Sequence, residues 1–330
     1  MIRMTRRSLA AAALAAPLLP AAARAQGASS PWAPSRPIRF VVPFPPGGAT
    51  DVVARVLGER MQEKLGQPVT VENRTGAGGN VGVENVVRSA PDGHSILMGT
   101  TGTLTINPHL YTNMGFNPAT DLAGISMAFA TDHVLIVHPS VAAQTAQEFV
   151  ALLRAQPGRL SYGSGGNGSS THLVPELFKL VARVEMQHVP YRGSAPALND
   201  TVAGNVQVML DQLPSALPMI QAGRVRALAV TGPRRSRLLP ELPTMAEIGL
   251  AQAEATSWGA VMGPAGLPAP VVERLNAVIR ESLAEAAVQQ RLAAAGADAV
   301  VSTPAELAAT MRAETEKWAR VVREARITVN

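Results

Sequence analysis

Short apolar runs alternate with segments of helical periodicity along most of the chain. Residues 38–42 (IRFVV) form a run rich in β-branched residues, and apolar residues then recur every three or four positions over residues 52–65. These patterns predict a strand followed by an amphipathic helix, and residues 69–71 (VTV) predict a second strand. A strand, a helix and a strand in this order favour a parallel pair with a right-handed crossover.

The same alternation continues toward the carboxyl terminus. Thr145 with Glu148, and Thr303 with Glu306, match the capping box that begins many helices. The order of elements predicts an α/β protein with two open sheets, each mostly parallel or mixed. Further strands are predicted at residues 95–98, 160–162, 186–189, 206–210 and 225–230, and helices at residues 270–287 and from residue 304.

Two longer extended runs are candidates for segments that connect two lobes. Residues 133–138 (HVLIVH) and 256–262 (TSWGAVM) are each followed closely by a proline. If the chain crosses at both places, one lobe comprises residues 36–132 plus 255–330, and the other comprises residues 133–254. A pair of crossing strands forms a hinge, and the cleft between two lobes is the usual ligand site.

The formal net charge of the 330-residue chain is +5, from 29 Lys+Arg against 24 Asp+Glu. Residues 1–25 contain four arginines and no acidic residue, so the other residues carry 25 basic against 24 acidic side chains. Only 4% of the residues are aromatic. A nearly neutral chain with few rings lacks the basic surface and the stacking platforms of nucleic-acid-binding proteins, so no nucleic-acid partner is predicted.

The arginine-rich amino terminus has the features of an export signal. A charged segment precedes an apolar stretch at residues 9–23 that is too short to span a bilayer, and the triplet A-R-A at residues 23–25 fits a cleavage site. We therefore predict a signal peptide over residues 1–25, cleaved near Ala25-Gln26, and a flexible lead-in over residues 26–35. The pair Arg6-Arg7 also occurs in twin-arginine signals, so the Sec and twin-arginine routes both remain open.

The loop after the first strand, residues 43–51 (PFPPGGATD), is a candidate anion site. Its prolines restrict the backbone, and its two glycines let N–H groups approach a ligand closely. The first N–H groups of the following helix are unpaired and carry partial positive charge. A rigid turn in which Thr50 or Asp51 simply caps the helix remains the alternative. The candidate ligand-binding residues are Phe44, Pro46, Gly47, Gly48, Thr50 and Asp51.

A second loop, residues 162–172 (YGSGGNGSSTH), joins a strand to a helix in the same way and is rich in hydroxyl groups. Gly163, Gly165 and Gly168 match G-x-G-x-x-G, and Glu185 lies near the place of a ribose-binding acid, so a dinucleotide site remains an alternative to an anion site. A triphosphate loop is disfavoured because Ser169 stands where that motif has lysine. The candidate ligand-binding residues are Ser164, Gly165, Asn167, Gly168, Ser169, Ser170 and His172, although a hydrogen bond to its own loop explains His172 more simply.

Polar residues also follow other predicted strands, at the edge where open α/β sheets place ligands. Thr100 and Thr101 follow the strand at residues 95–98, and Tyr191 and Asp211 follow later strands. For Asp211, a helix cap before Pro214 is an equally good explanation. The six histidines show no ligand spacing and the chain has no cysteine, so neither a metal site nor a cofactor is predicted.

Seven segments of the mature chain, taken in order, carry a family resemblance. They are PIRFVVPFPPGGATD, GAGGN, YGSGGNGSSTH, HVPYRGSAPAL, VQVMLDQLPSALPMIQAGRVRALAV, LPELPTMAEIGL and TSWGAVMGPAGLPAPVVERLN. They resemble the Bug-type receptors, the extracytoplasmic solute-binding proteins of tripartite tricarboxylate transporters. The resemblance implies a two-lobed periplasmic-binding-protein fold of the Venus flytrap, type II-like form. It also implies that residues 44–51 and 164–172 grip a carboxylate, one loop per lobe.

The resemblance further implies a periplasmic, monomeric protein that has no catalytic activity. Its ligand would be a small organic anion, such as a di- or tricarboxylate, an acidic amino acid or an aromatic acid. Its partners would be integral-membrane transporter subunits or a sensor. The alternative is an exported NAD(P)-dependent oxidoreductase that uses Gly163, Gly165 and Gly168 as its dinucleotide loop. No set of catalytic His, Lys or Tyr residues accompanies that loop, so the receptor is the favoured hypothesis.

Overall fold

The computed structural model describes residues 32–294 and 296–328. The predicted signal peptide and most of the predicted lead-in lie outside these residues. The strands are β1 (Ile38–Val42), β2 (Val69–Asn73), β3 (Ser95–Thr100), β4 (Leu122–Val137), β5 (Ser161–Ser164), β6 (Gln187–Pro190), β7 (Val208–Gln212), β8 (Arg226–Val230), β9 (Thr256–Pro264) and β10 (Asp298–Ala299). The helices are α1 (Ala49–Leu65), α2 (Asn80–Val87), α3 (Pro118–Asp121), α4 (Ala146–Ala155), α5 (Ser170–Ala182), α6 (Ser194–Ala203), α7 (Leu213–Gln221), α8 (Ala269–Ala284), α9 (Ala286–Ala294) and α10 (Pro304–Glu324).

The first sheet contains the βαβ unit predicted at the amino end. β1 lies between β2 and β3 and is parallel to both, so that prediction is confirmed. β9 then pairs antiparallel with β3 and with the first part of β4, which makes the sheet mixed. Its hydrophobic core includes Phe40 from β1, Leu57 from α1 and Ile279 from α8.

The second sheet has the strand order β4-β7-β5-β6, and β8 also pairs with β4. β5 is parallel to β6 and β7, whereas β4 is antiparallel to β7 and β8, so this sheet is also mixed. The core of this half includes Phe149 from α4, Phe178 from α5 and Leu210 from β7.

The chain passes between the two sheets within β4 and again just before β9. Residues of β4 up to Asp132 pair with β9, and residues from His133 onward pair with β7 and β8. Thr231 joins both connecting segments, because its Oγ1 accepts from His133 N at 2.9 Å and donates to Ala255 O at 2.6 Å. The chain therefore passes from one sheet to the other between Asp132 and His133 and again near residue 255. The predicted second crossing strand differs in one respect, since all of β9 lies in the first sheet and residue 255 makes the crossing.

Helix α10 packs against both halves, which the sequence-based division did not anticipate. Its first turn is closed by the predicted capping box between Thr303 and Glu306. Leu307 near its start packs in a cluster of the first sheet, whereas Trp318 and Val321 near its end pack among residues of the second half. A helix of this length spans roughly 30 Å, so one apolar stripe can reach two cores.

None of the helices among the described residues combines the length and the apolar character needed to cross a membrane.

Candidate functional site

A cavity of about 50 Å³ lies between the two halves, where strand ends of both sheets meet helix starts. This volume is room for roughly three or four water molecules. The cavity is lined by Phe44, Pro45, Pro46, Gly48, Ala49, Thr50, Asp51, Thr100, Gly165, Ser169, Ser170, Thr171, Ser194, Ala195 and Gln212. No cationic side chain stands among these described residues.

The first glycine-rich loop presents the start of α1 to the cavity. Gly48 is the N-cap residue in extended backbone, and no side chain caps the helix. The N–H groups of Ala49 and Thr50 occupy the first two helical positions, where no intrahelical acceptor exists. A Cβ atom on Gly48 would meet no heavy atom within 4 Å, so the space in front of this helix end is open. The loop therefore offers unpaired backbone donors to a ligand.

Asp51 shapes this loop. Its Oδ2 accepts from Gly47 N and from Arg55 Nε, both at 3.0 Å, and its Oδ1 accepts from Arg55 Nη2 and Asn73 Nδ2, both at 2.9 Å. Burial alone would raise the pKa of Asp51, but the hydrogen bonds from Arg55, Asn73 and Gly47 lower it below its ordinary value. The carboxylate is therefore charged and locally neutralised by Arg55, and it holds the backbone of Gly47 in place.

The second loop uses several of its polar groups to hold its own shape. Ser169 Oγ donates to Gly166 O at 2.7 Å, and Thr171 Oγ1 accepts from Gly165 N at 2.8 Å. His172 Nδ1 accepts from Gly168 N at 3.2 Å, as the simpler explanation of His172 anticipated. By contrast, the hydroxyl of Ser170, the first residue of α5, makes no hydrogen bond within the described residues. The start of α5 therefore resembles that of α1, with unpaired backbone donors facing the cavity.

Two stacked histidines form the base of the second loop. The rings of His172 and His188 lie 4.0 Å apart and almost parallel, and His188 Nε2 is 2.6 Å from Ser164 Oγ. Burial, with a smaller contribution from the positive charge of Lys179, lowers the pKa of His172 to about 4. Burial and the neighbouring His172 lower the pKa of His188 to about 3. Both rings are therefore neutral near pH 7 and support the loop from below.

Two of the predicted residues at strand ends contact protein groups and do not line the cavity. Thr101 Oγ1 accepts from Trp258 N at 2.9 Å, which ties the end of β3 to β9. The Tyr191 hydroxyl donates to Asp200 at 2.7 Å, within the second half. These side chains stabilise the edges of the cleft.

Asp211 is wholly buried and also lies outside the cavity. Its Oδ1 accepts from Gln212 N and its Oδ2 from the Ser215 hydroxyl, both at 2.9 Å. Burial raises the pKa of Asp211 to about 7, although these two hydrogen bonds oppose that effect. Asp211 therefore bonds to protein groups at the start of α7, whose N-cap residue is Gln212 and which no side chain caps.

The predicted residues divide into two groups by position. Those that line the cavity are Phe44, Pro46, Gly48, Thr50, Asp51, Thr100, Gly165, Ser169 and Ser170. Those that do not are Gly47, Thr101, Ser164, Asn167, Gly168, His172, Tyr191 and Asp211. Lining residues that the sequence analysis missed are Pro45, Ala49, Thr171, Ser194, Ala195 and Gln212. Ser194 and Gln212 could have been predicted by the criterion used for the other candidate residues, because each lies between the end of a strand and the start of a helix.

Four helices begin at the cavity. α1 and α5 start at the two glycine-rich loops, α6 starts at Ser194, and Gln212 is the N-cap residue of α7. Each helix start carries about half a positive elementary charge. The cavity therefore favours anions without a cationic side chain. Among the described residues, no group of three or more His, Asp or Glu side chains is placed to hold a metal ion.

The halves touch each other around the cavity. The Tyr111 hydroxyl donates to Asn167 O at 3.0 Å. A Cβ atom on Gly193 would lie 2.9 Å from the Pro45 side chain, so glycine permits this close approach. The structure is therefore that of a closed cleft.

Comparison with known proteins points to one family. The family model described as "Tripartite tricarboxylate transporter family receptor" matches residues 53–327. The chain is also 38% identical over 292 residues to Protein BugT of Bordetella pertussis, which covers 88% of this chain and 90% of that protein. These matches confirm the resemblance predicted from the seven sequence segments.

Solved structures agree with this result. The chain superposes on R. palustris Rpa4515 with adipate with a TM-score of 0.86 and 35% identity, covering 89% of this chain and 99% of that one. For the periplasmic binding protein BugD the TM-score is 0.84 and the identity 34%, with the same coverage. For MatC from Rhodopseudomonas palustris with bound malate the values are 0.82 and 31%, covering 88% and 99%. The predicted α/β, two-lobed periplasmic-binding-protein fold is thereby confirmed.

Proposed function

Since the chain belongs to the tripartite tricarboxylate transporter receptor family, we propose that it captures a small organic carboxylate in this cavity and delivers it to a transporter of that type in the membrane. The observation that carries the proposal is the convergence of four helix starts on one closed cavity, which no cationic side chain of the described residues lines. Solute binding, with no chemical step, is the activity that such a set of donors performs.

We assign one ligand carboxylate to the starts of α1 and α5. The N–H groups of Ala49 and Thr50 would donate to it from one side, and those of Ser170 and Thr171 from the other, joined by the hydroxyls of Thr50 and Ser170. The four backbone N–H groups alone, each in a charge-assisted hydrogen bond, give roughly 6–12 kcal/mol before other terms. A micromolar dissociation constant requires about 8 kcal/mol, and ordering and closure oppose binding. Tight binding therefore also needs contacts at the far end of the ligand.

The two helix starts belong to different lobes in the division that we propose, residues 36–132 plus 255–330 and residues 133–254. A ligand that bridges them favours the closed state over the open state by its differential affinity. The closed state is then the form that a membrane partner can recognise. In this scheme the chain is a periplasmic monomer, exported by the predicted signal peptide.

Two similar proteins support an organic acid as the ligand, because Rpa4515 is described with adipate and MatC with bound malate. The size of the cavity supports a small ligand. A volume near 50 Å³ is far below the several hundred Å³ that drug-sized ligands occupy, and a dinucleotide is larger than those.

The proposal is tested with the processed chain, purified without added ligand. Thermal shift against a panel of mono-, di- and tricarboxylates, acidic amino acids and aromatic acids, followed by titration calorimetry, should identify at least one acid with a micromolar or tighter dissociation constant. Absorbance and fluorescence of the purified protein test for bound nicotinamide in parallel. Bound dinucleotide together with no response to any acid would replace the receptor proposal with the oxidoreductase alternative.

A further inference from the structure

The cavity extends beyond the two glycine-rich loops toward the strands that connect the halves. In the first sheet, β3 lies between β1 and β9, so Thr100 at its end lies on the connecting side of the first loop. In the second sheet, β7 lies between β5 and β4, so Gln212 at its end lies on the connecting side of the second loop. Both residues line the cavity. This pair therefore borders the part of the cavity beyond the two loops.

Gln212 has the longest side chain among the uncharged polar residues that line the cavity, and that side chain is not engaged by other described residues. Its backbone groups are engaged, since its N–H donates to Asp211 and its carbonyl accepts from Ser215. Its side-chain amide makes no hydrogen bond within the described residues, and the residue is half-buried. Thr100, in contrast, shares its hydroxyl with Thr103. Gln212 thus brings a free donor and a free acceptor on a long side chain to the far end of the cavity.

We propose that Gln212 is the specificity-determining residue of this receptor and that its amide N–H groups bind the second carboxylate of a short dicarboxylate. This inference rests on the proposed function and names the class of ligand. Asp51 is the only charged side chain in the lining formed by the described residues, and its carboxylate is fully engaged by Arg55 and Asn73. The Gln212 amide, unlike Asp51, is therefore available to stabilise a second carboxylate, and it reaches farther than the Ser194 hydroxyl in the same lining. The limited volume of the cavity favours a short carbon chain over a long one.

The expected size of the effect follows from the type of bond. A hydrogen bond to a charged group corresponds to about 10- to 150-fold in affinity. Replacing Gln212 by leucine removes that bond and should reduce the preference for a dicarboxylate by this factor. Replacing it by glutamate sets a carboxylate against the ligand's second carboxylate and should reverse the preference.

The test is a cycle in which both the ligand and the protein change. Succinate and butyrate form one pair and glutarate and pentanoate another, each pair differing by one carboxylate at equal chain length. Calorimetry on wild type, Gln212→Leu and Gln212→Glu gives the affinity ratio within each pair. We expect wild type to prefer the dicarboxylate, Q212L to bind both members about equally, and Q212E to prefer the monocarboxylate. Gln221→Glu, exposed at the other end of α7, is the matched control and should keep the wild-type ratio.

Each other result overturns the inference in a recognisable way. If wild type binds a dicarboxylate and both Gln212 variants show the same affinity ratio within each pair as wild type, Gln212 does not bind the second carboxylate. If the affinity of both variants falls by the same factor for the two acids of a pair, Gln212 affects the whole site and does not determine which acid is preferred. If wild type binds only acids outside these pairs, the ligand class is wrong while the receptor function stands. If no acid binds to wild type, the proposed function itself fails.

Discussion

A substitution at Gly48 should change ligand binding strongly and the stability of the fold only slightly. It lines the cavity at the start of α1, and its backbone at φ −81° and ψ 166° is accessible to any residue. A Cβ atom there would meet no other heavy atom within 4 Å. Gly48→Val therefore adds three carbon atoms to a cavity of about 50 Å³ without displacing protein atoms at the Cβ position.

The two consequences of this substitution differ in size. If valine excludes the carboxylate from the α1 donors, two of the four charge-assisted hydrogen bonds are lost, or about 3–6 kcal/mol. This corresponds to a dissociation constant raised by roughly 10²- to 10⁴-fold. For stability, glycine is a better N-cap residue than valine by about 1 kcal/mol or less. In a chain of this size that difference lowers the melting temperature by at most about 3 °C.

Calorimetric titration with the best acid of the panel, and differential scanning calorimetry without ligand, measure the two effects. Gly58→Ala is the matched control on the same helix, because a Cβ atom there meets Val69 at 3.5 Å, an ordinary contact distance outside the cavity. The control should bind the acid with wild-type affinity. An unchanged affinity in Gly48→Val would refute the assignment of the carboxylate to the α1 donors. A melting temperature lowered by 10 °C or more would show that Gly48 serves the fold.

Two further predictions concern closure and pH. Tyr111→Phe removes the hydrogen bond to Asn167 O and should weaken ligand binding about 2- to 12-fold. Small-angle scattering should also give a larger radius of gyration for the ligand-free variant than for the ligand-free wild type. An affinity and a radius equal to those of wild type would contradict this prediction. Asp211 has a folded-state pKa raised from 3.8 to about 7, so its contribution to stability is complete below about pH 4 and is lost as the pH rises toward 7. Asp211→Asn should therefore gain stability relative to wild type between pH 4.5 and pH 8 in urea unfolding, and a constant difference between the two proteins would contradict the cause given for the pKa.

The sequence alone predicted the parallel units and the glycine-rich loops that precede helix starts, because both depend on local signals. β-branched runs, helical spacing and glycine-rich turns lie within a few residues of one another, and the parallel pairing of β1 with β2 and β3 follows from their order. The first part of β4, residues 122–132, was not predicted. Its pattern (LAGISMAFATD) neither alternates nor forms a continuous apolar run, because two register shifts interrupt its pairing with β9, at Gly124–Ser126 and at Met127–Phe129.

Long-range packing explains the other differences. The end of α10 lies among residues of the second half, with Trp318 against a core that also contains Phe149 and Phe178. Periodicity shows that such a helix is amphipathic, but it does not show that one stripe serves two cores. Gln212 and Ser194 are a second example. The sequence shows that both residues follow strands, but it does not show how the two sheets face each other, and that arrangement brings both residues to one cavity.

Several hydroxyl groups of the second loop bond to other protein groups, and this changes how they should be interpreted. A loop with this many serines and threonines suggests side-chain donors to an anion, yet Ser169 and Thr171 bond within the loop, and Ser164 bonds to His188. The donors left for a ligand are mainly backbone N–H groups, whose direction these internal bonds fix. Alanine at such positions would therefore weaken binding by loosening the backbone. A bulky side chain in front of an intact helix start, as in Gly48→Val, tests the donors themselves.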